Sequence, residues 1–148
     1  MGLYVVGFVV LTAGTVADPP PPRSGEVPRG TWTVVSSEQD GKSLKYPAKG
    51  ARYTFEDGKV LVGPRKDKVY YTFKADAKKD PKEIDLVREE GKRKVILRGI
   101  YRMEKGRLLI CVGVASGSGH EDVLESKRPT EFKSGPKIQL LTFESSGH

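Results

Sequence analysis

His120 offers this chain its most direct route to chemistry. It stands in "SGSGHEDVLE", with Ser116 and Ser118 before it and Glu121 and Asp122 after it. A hydroxyl, an imidazole and a carboxylate are the parts of an activated nucleophile, but activation needs them held rigidly in one geometry. Neighbours along one Gly/Ser-rich loop lack that rigidity, and the other histidine, His148, is the last residue. The sequence therefore predicts no catalytic residue and no enzyme, with His120 dispensable. One loop histidine and one cysteine, Cys111, give no transition-metal ligand spacing. Glu121, Asp122 and Glu125 lack the Gly-braced alternation of a calcium loop. Gly113, Gly117 and Gly119 open no helix that could cradle a phosphate. No metal and no cofactor is expected.

Cys111 lies inside the apolar run "LLICVGV" and reads as a small packed side chain. A single cysteine forms no intramolecular disulfide. An exported domain of this length must then be held by its core, which about 120 residues can supply.

The chain of 148 residues has a formal charge of +7, and the charge is concentrated. Residues 59–107 hold 16 Lys/Arg against 8 Asp/Glu, while the stretches on either side hold 6 against 6 and 4 against 5. Such a middle suits an anionic polymer or headgroups. Yet its cations alternate with apolar residues and are interspersed with acids, the pattern of a solvated strand face. Nucleic-acid binding would need outward aromatics for stacking; only Tyr70 reads that way, so no nucleic-acid partner is expected.

Residues 1–17, "MGLYVVGFVVLTAGTVA", carry no charged side chain, an apolar run from Leu3 to Leu11, and small residues at Thr15 and Ala17. They read as a signal peptide cleaved before Asp18. The apolar run is short for a span of about 20 residues. No cysteine stands near the site for a lipid anchor. The expected product is exported to the periplasm or the exterior, without stable membrane insertion, as a monomer. Residues 18–29, "DPPPPRSGEVPR", form a Pro-rich spacer with polyproline geometry.

From residue 30 to 144 no stretch has helical periodicity. Short alternating runs recur between Gly, Pro and Asp turns, predicting strands near 31–37, 52–56, 59–63, 68–74, 83–87, 94–102, 107–114, 130–133 and 137–144. In "YTFEDGKVLV" an Asp57-Gly58 turn sets Glu56 opposite Lys59, Phe55 opposite Val60 and Tyr53 opposite Val62. A Lys105-Gly106 turn sets Glu104 opposite Arg107, Met103 opposite Leu108 and Tyr101 opposite Ile110. The "REEGKRK" turn admits several registers. The inward set is Trp32, Val34, Tyr53, Phe55, Val69, Tyr71, Phe73, Ile84, Leu86, Leu97, Tyr101, Leu108, Ile110, Phe132, Ile138 and Leu140. The expected fold is all-β, an antiparallel meander closing into a mostly filled barrel of about eight strands.

"GTW" at Gly30 to Trp32, "DGK" at Asp40 to Lys42, "GIY" at Gly99 to Tyr101, "LLIC" at Leu108 to Cys111 and "RPTEF" at Arg128 to Phe132 follow in order. Together they resemble the lipocalin-like extracellular domain family described from planctomycete bacteria, over residues 30–143. The resemblance implies an exported lipocalin-like barrel and no activity. The loop 115–127 is longer and richer in Gly/Ser than that pattern.

Two roles follow as expectations. One is a non-catalytic exported barrel that binds a small apolar molecule or serves as a structural module. Its ligand would enter at the open mouth, near loops 44–50, 63–67 and 115–127. The other is an interaction domain that uses the basic face of 59–107 on an anionic envelope polymer. Ligand-binding residues are not identified. For barrel closure the sequence points to Gly30, Trp32, Arg128 and Pro129. Pro129 extends Arg128 and suits a strand start. Arg128 is expected to stack on the Trp32 ring and hydrogen-bond nearby carbonyls.

Overall fold

Hairpin turns and alternating side chains determine the architecture. The computed structural model describes residues 27–63, 69–115 and 122–146. Residues 1–26, 64–68, 116–121 (His120 among them) and 147–148 lie outside the described residues, so the expected signal peptide and most of the expected spacer do too. Ten strands run in order: β1 Gly30–Gln39, β2 Lys42–Ser43, β3 Arg52–Glu56, β4 Lys59–Val62, β5 Val69–Asp76, β6 Lys82–Glu90, β7 Arg93–Glu104, β8 Arg107–Gly113, β9 Val123–Glu125 and β10 Ile138–Ser145. There is no helix among the described residues.

Eight strands, in the order β10-β8-β7-β6-β5-β4-β3-β1, form an antiparallel sheet that β1 and β10 close into a barrel. Closure pairs both edges that an open meander would expose. Short β2 extends alongside the upper end of β1, and β9 pairs in parallel with the first half of β7, where β8 does not reach.

Three two-residue turns place both residues at positive φ: Asp40-Gly41 (54° and 74°), Asp57-Gly58 (49° and 73°) and Lys105-Gly106 (50° and 77°). That twist matches the flanking strands, and Asp and Gly tolerate it. The β3–β4 register pairs Glu56 with Lys59, Phe55 with Val60 and Tyr53 with Val62. The β7–β8 register pairs Glu104 with Arg107, Met103 with Leu108 and Tyr101 with Ile110. Both are as the turn chemistry predicts. The ambiguous turn is Gly91-Lys92, which sets Glu90 opposite Arg93.

The interior is one cluster drawn from all eight barrel strands, with Trp32, Tyr53, Phe55, Phe73, Tyr101 and Phe143 as its rings. Phe143 sits edge-on to Tyr53 at 5.2 Å and to Phe55 at 6.5 Å, while Phe55 meets Phe73 at 5.4 Å. Such T-shaped contacts are favoured by the ring quadrupoles. Pro28, within the segment that reads as spacer, is also fully buried.

Two expectations fail. Residues 130–132 form bends rather than a strand, and the strand in this region is β9, at 123–125. In β10 the inward residues are Leu141 and Phe143, not Ile138 and Leu140. Apolar residues at both 140 and 141 fit either phase, and a one-residue slip exchanges the two faces. Ile138, Leu140 and Phe132 lie on the outer side, where they line clefts. Val69 opens β5, but its side chain lies outside the described residues.

The phase of β10 has a stability consequence. Leu141→Ala should cost about 2–5 kcal/mol in urea unfolding, and Leu140→Ala clearly less. A reversed ranking would place the strand the other way round. Burial, aided by the charge of Asp76, pushes the Tyr101 phenol up from 10.0 to about 12. An unfolded tyrosine therefore ionises first, and stability should be lost as pH rises between about 10 and 12. Tyr101→Phe should flatten that fall in pH-dependent unfolding curves.

Candidate functional site

After β9 the chain does not enter the barrel wall. Residues 126–136 run as a strap across its outside, from β7 over β8 and β10 to the β1–β2 turn. At the first end, the Ser126 backbone N–H donates to Ile96 O at 3.0 Å. The Ser126 hydroxyl in turn accepts the Arg98 backbone N–H at 2.8 Å. At the last end, Asp40 N–H donates to Gly135 O, Gly41 N–H to Ser134 Oγ, and Gln39 Nε2 to Pro136 O. The strap thus ties β7 to β1 across the seam where the barrel closes.

Gly113 makes this crossing sterically allowed, and Gly99 lets β7 lie close against β8. A Cβ on Gly113 would overlap the Lys127 carbonyl oxygen and lie 2.9 Å from Ser126 Cβ. A Cβ on Gly99 would lie 2.6 Å from Val112 Cγ1 and 2.7 Å from Cys111 O. Real Cβ atoms do not pack so closely, so any side chain there forces the wall apart.

Under the strap sits a compact cluster of charges. Asp85 is outward on β6 and is registered opposite Arg98 on β7. Arg98 pairs with Asp85 Oδ2 at 3.0 Å and with Glu125 Oε1 at 2.8 Å. Arg128 Nη1 donates to Gly99 O at 2.7 Å, Nη2 lies 2.8 Å from Asp85 Oδ1, and Nε lies 3.6 Å from Glu83. One planar fork therefore grips a backbone carbonyl and a carboxylate together, which an ammonium could not reproduce.

Arg128 is a clamp, but it clamps the wrong partner for the sequence expectation. Its contacts are on the outer face of β6 and β7, whereas Trp32 is inside, paired with Tyr53 and Ser145. Trp32 Nε1 donates to Arg29 O at 2.9 Å. The four residues expected to close the barrel thus divide. Gly30 (φ 85°) opens β1 and Trp32 is packed in the interior cluster, while Arg128 and buried Pro129 belong to the strap. The cation–π contact exists elsewhere in the strap, with the Arg102 guanidinium 4.5 Å from the Phe132 ring centroid.

The cover also explains Ile100 and Cys111. Both are on the outer face yet fully buried. The Cys111 thiol faces the Glu131 carbonyl at 3.4 Å and the Lys133 carbonyl at 3.7 Å, and burial pushes its pKa up. A thiol so placed resists ionisation and nucleophilic use. Beside the strap, a cleft of about 500 Å³ runs between Val114, Glu125–Thr130, Lys137 and Ile138. A shallower one near 470 Å³ lies between Asp40, Gly41, Phe132 and Leu140.

Sequence reasoning missed Asp85, Arg98 and Ser126. Charge pairing across the Gly91-Lys92 turn was an available signal. Only that register joins Glu90 to Arg93, Glu89 to Lys94 and Asp85 to Arg98. Of the loops expected at the mouth, 64–67 and 116–121 lie outside the described residues, while 44–50 presents Tyr46 at 71% exposure.

These features define a closed, filled antiparallel β-barrel with an ion-paired external strap. No protein-family model, curated protein or solved structure matches the chain.

A thermodynamic cycle tests the clamp. Arg128→Ala combined with Asp85→Asn should show a coupling of about 0.5–3 kcal/mol in chemical denaturation. Arg128→Ala with Trp32→Phe should instead be additive within about 0.5 kcal/mol.

Proposed function

We propose that the protein is an exported, non-catalytic lipocalin-like barrel that serves as a structural and interaction module of the cell exterior, without cargo in its interior. The observation that carries this reading is the aromatic interior. Trp32, Phe55, Tyr101 and Phe143 are almost wholly buried against one another's neighbours, in the space a carried ligand would need. Small barrels either fill with side chains or enclose a ligand, and large rings at six interior positions favour the first.

The non-catalytic reading is supported by the state of the chemical groups. The outward carboxylates Glu83, Asp85 and Glu125 are neutralised by Arg98 and Arg128, and Cys111 is sealed beneath the strap. Export is supported by the uncharged segment 1–17 and its small residues before Asp18. The five ordered motifs from Gly30 to Phe132 support the family reading.

A second reading, contact with an anionic envelope polymer, draws on the surface lysines. Lys59, Lys74 and Lys94 are exposed on the wall, and binding through them would weaken steeply with salt.

Native mass spectrometry of protein collected outside the cell tests the proposal. The expected mass is that of a chain beginning at Asp18, unchanged by denaturing extraction. A small molecule released only on denaturation would overturn the cargo-free reading. An N-terminus at Met1 would overturn export with cleavage.

A further inference from the structure

At the upper end of the barrel, where β5 begins and β6 ends, one side chain is out of keeping with the filled interior. Arg88 continues the inward phase of Ile84 and Leu86, so the wall aims a guanidinium at the rim rather than at solvent. One step beyond the registered pair Thr72 and Val87, it meets Tyr71 across the strands. Its guanidinium lies 5.5 Å from the Tyr70 ring centroid and 5.8 Å from that of Tyr71, and Nη1 donates to the Tyr70 hydroxyl at 3.2 Å. Nη2 pairs with Glu90. Arg88 Nε is buried and has no hydrogen-bond partner.

An exposed tyrosine braced by a partly exposed arginine, beside a carboxylate, forms a set of recognition groups. Tyr70 is 45% exposed and is the extra residue of a bulge, because Val60 pairs with Tyr71 and Leu61 with Val69. The ring meets Tyr71 edge-to-face at 4.8 Å, and its exposed part is an apolar platform for the C–H face of a sugar ring. Glu90 can accept only from donors, which hydroxyl groups supply and phosphate polymers or fatty acids do not. Arg88, whose side chain is 31% exposed, and the neighbouring cations Lys92, Arg93 and Lys94 suit a carboxylate. A second pair repeats the pattern at the same end, with Lys45 Nζ 5.8 Å from the Tyr46 ring centroid. The topology brings loop 44–50 to that end, because β2 continues along the top of β1 and β3 descends from there.

We propose that this rim, centred on Tyr70, Arg88 and Glu90, binds a polysaccharide carrying carboxylated sugars. Tyr70 stacks on a sugar ring, Arg88 takes a carboxylate, and Glu90 accepts a hydroxyl. The inference deepens the surface-acting reading above by naming a site and a ligand class. It is separable from the cargo test: retained cargo with intact sugar binding would sink the cargo-free reading alone.

The test is calorimetric titration of the mature chain with oligogalacturonate, its methyl-esterified form and polyphosphate, at physiological salt. Oligogalacturonate should bind, and esterification or exchange for polyphosphate should weaken binding severalfold or more. Tyr70→Ala removes an exposed ring without touching the core and should weaken binding roughly tenfold. Tyr70→Phe keeps the stacking face and should stay within about threefold of the parent. Because Arg88 is partly buried, Arg88→Lys is the milder variant. It keeps the charge, loses the fork, and should weaken binding while leaving the thermal midpoint close to that of the parent. No binding of oligogalacturonate overturns the proposal. So does binding that polyphosphate matches and Tyr70→Ala leaves unchanged, since that would be lysine-driven charge attraction alone.

Discussion

A carboxylate on a strand that is then covered by another segment of chain must be met by a positive charge, or its desolvation destabilises the fold. Asp85 is that carboxylate, and Arg98 and Arg128 meet it from two sides. Breaking such a pair leaves an uncompensated, partly buried charge, and this costs far more than the net worth of the pair. The strap depends on this arrangement. Arg128 holds the first end to Gly99 O and Asp85, Pro129 is buried beside it, and the following residues seal Ile100 and Cys111 beneath them. The clamp therefore gives the outer wall an apolar underlayer that the barrel interior does not provide.

The two sides of the wall use different physics. Inside, the rings of Tyr53, Phe55, Phe73 and Phe143 fill the space through non-directional burial and edge-to-face contacts. Outside, the strap is fixed by directional groups, the Ser126 hydroxyl and the Arg128 fork, over a glycine at 113 that permits close approach. Interior packing tolerates volume-conserving exchange. A fork contacting a carbonyl and a carboxylate at once does not tolerate lysine. Glycine at 113 likewise tolerates no Cβ, because the Lys127 carbonyl occupies that position.

This division governs what the sequence revealed. Turn chemistry is local, so the Asp57-Gly58 and Lys105-Gly106 hairpins, and the pairs they set, were legible. Interior alternation was legible for β1, β3 and β6, where one face is apolar and the other polar. It failed in β10, because Leu140 lies on an outer face that the strap partly covers and so is apolar as well. The run 130–133 alternates like a strand, yet it is not one. Phe132 is held by Arg102 and the thiol of Cys111 faces carbonyls of this stretch, where strand pairing would need a neighbouring edge. The Arg128 clamp was legible as chemistry but not as a partner. An arginine before a proline signals a fixed, extended guanidinium, while the choice between Trp32 and Asp85 depends on which side of the wall the chain passes.

Among the described residues, the cations of 59–107 divide largely by residue type, with Arg93 as the exception. Arg88, Arg98, Arg102 and Arg107 each contact a carboxylate, with Arg102 on Glu104 and Arg107 on Glu144. Glu104 and Arg107 stand opposite each other across the turn, yet each takes another partner, so cross-strand register alone does not decide the pairing. Lys59, Lys74, Lys94 and Lys105 are exposed on strands or turns. Guanidinium groups are weakly hydrated and planar, so they are retained where a charge must be gripped at the wall. Ammonium groups are strongly hydrated and stay in water. The arginines hold the structure together, and the lysines supply the long-range positive field. Arg88 belongs to both populations: one nitrogen is bound to Glu90, another to Tyr70, and Nε is left without a partner at the rim.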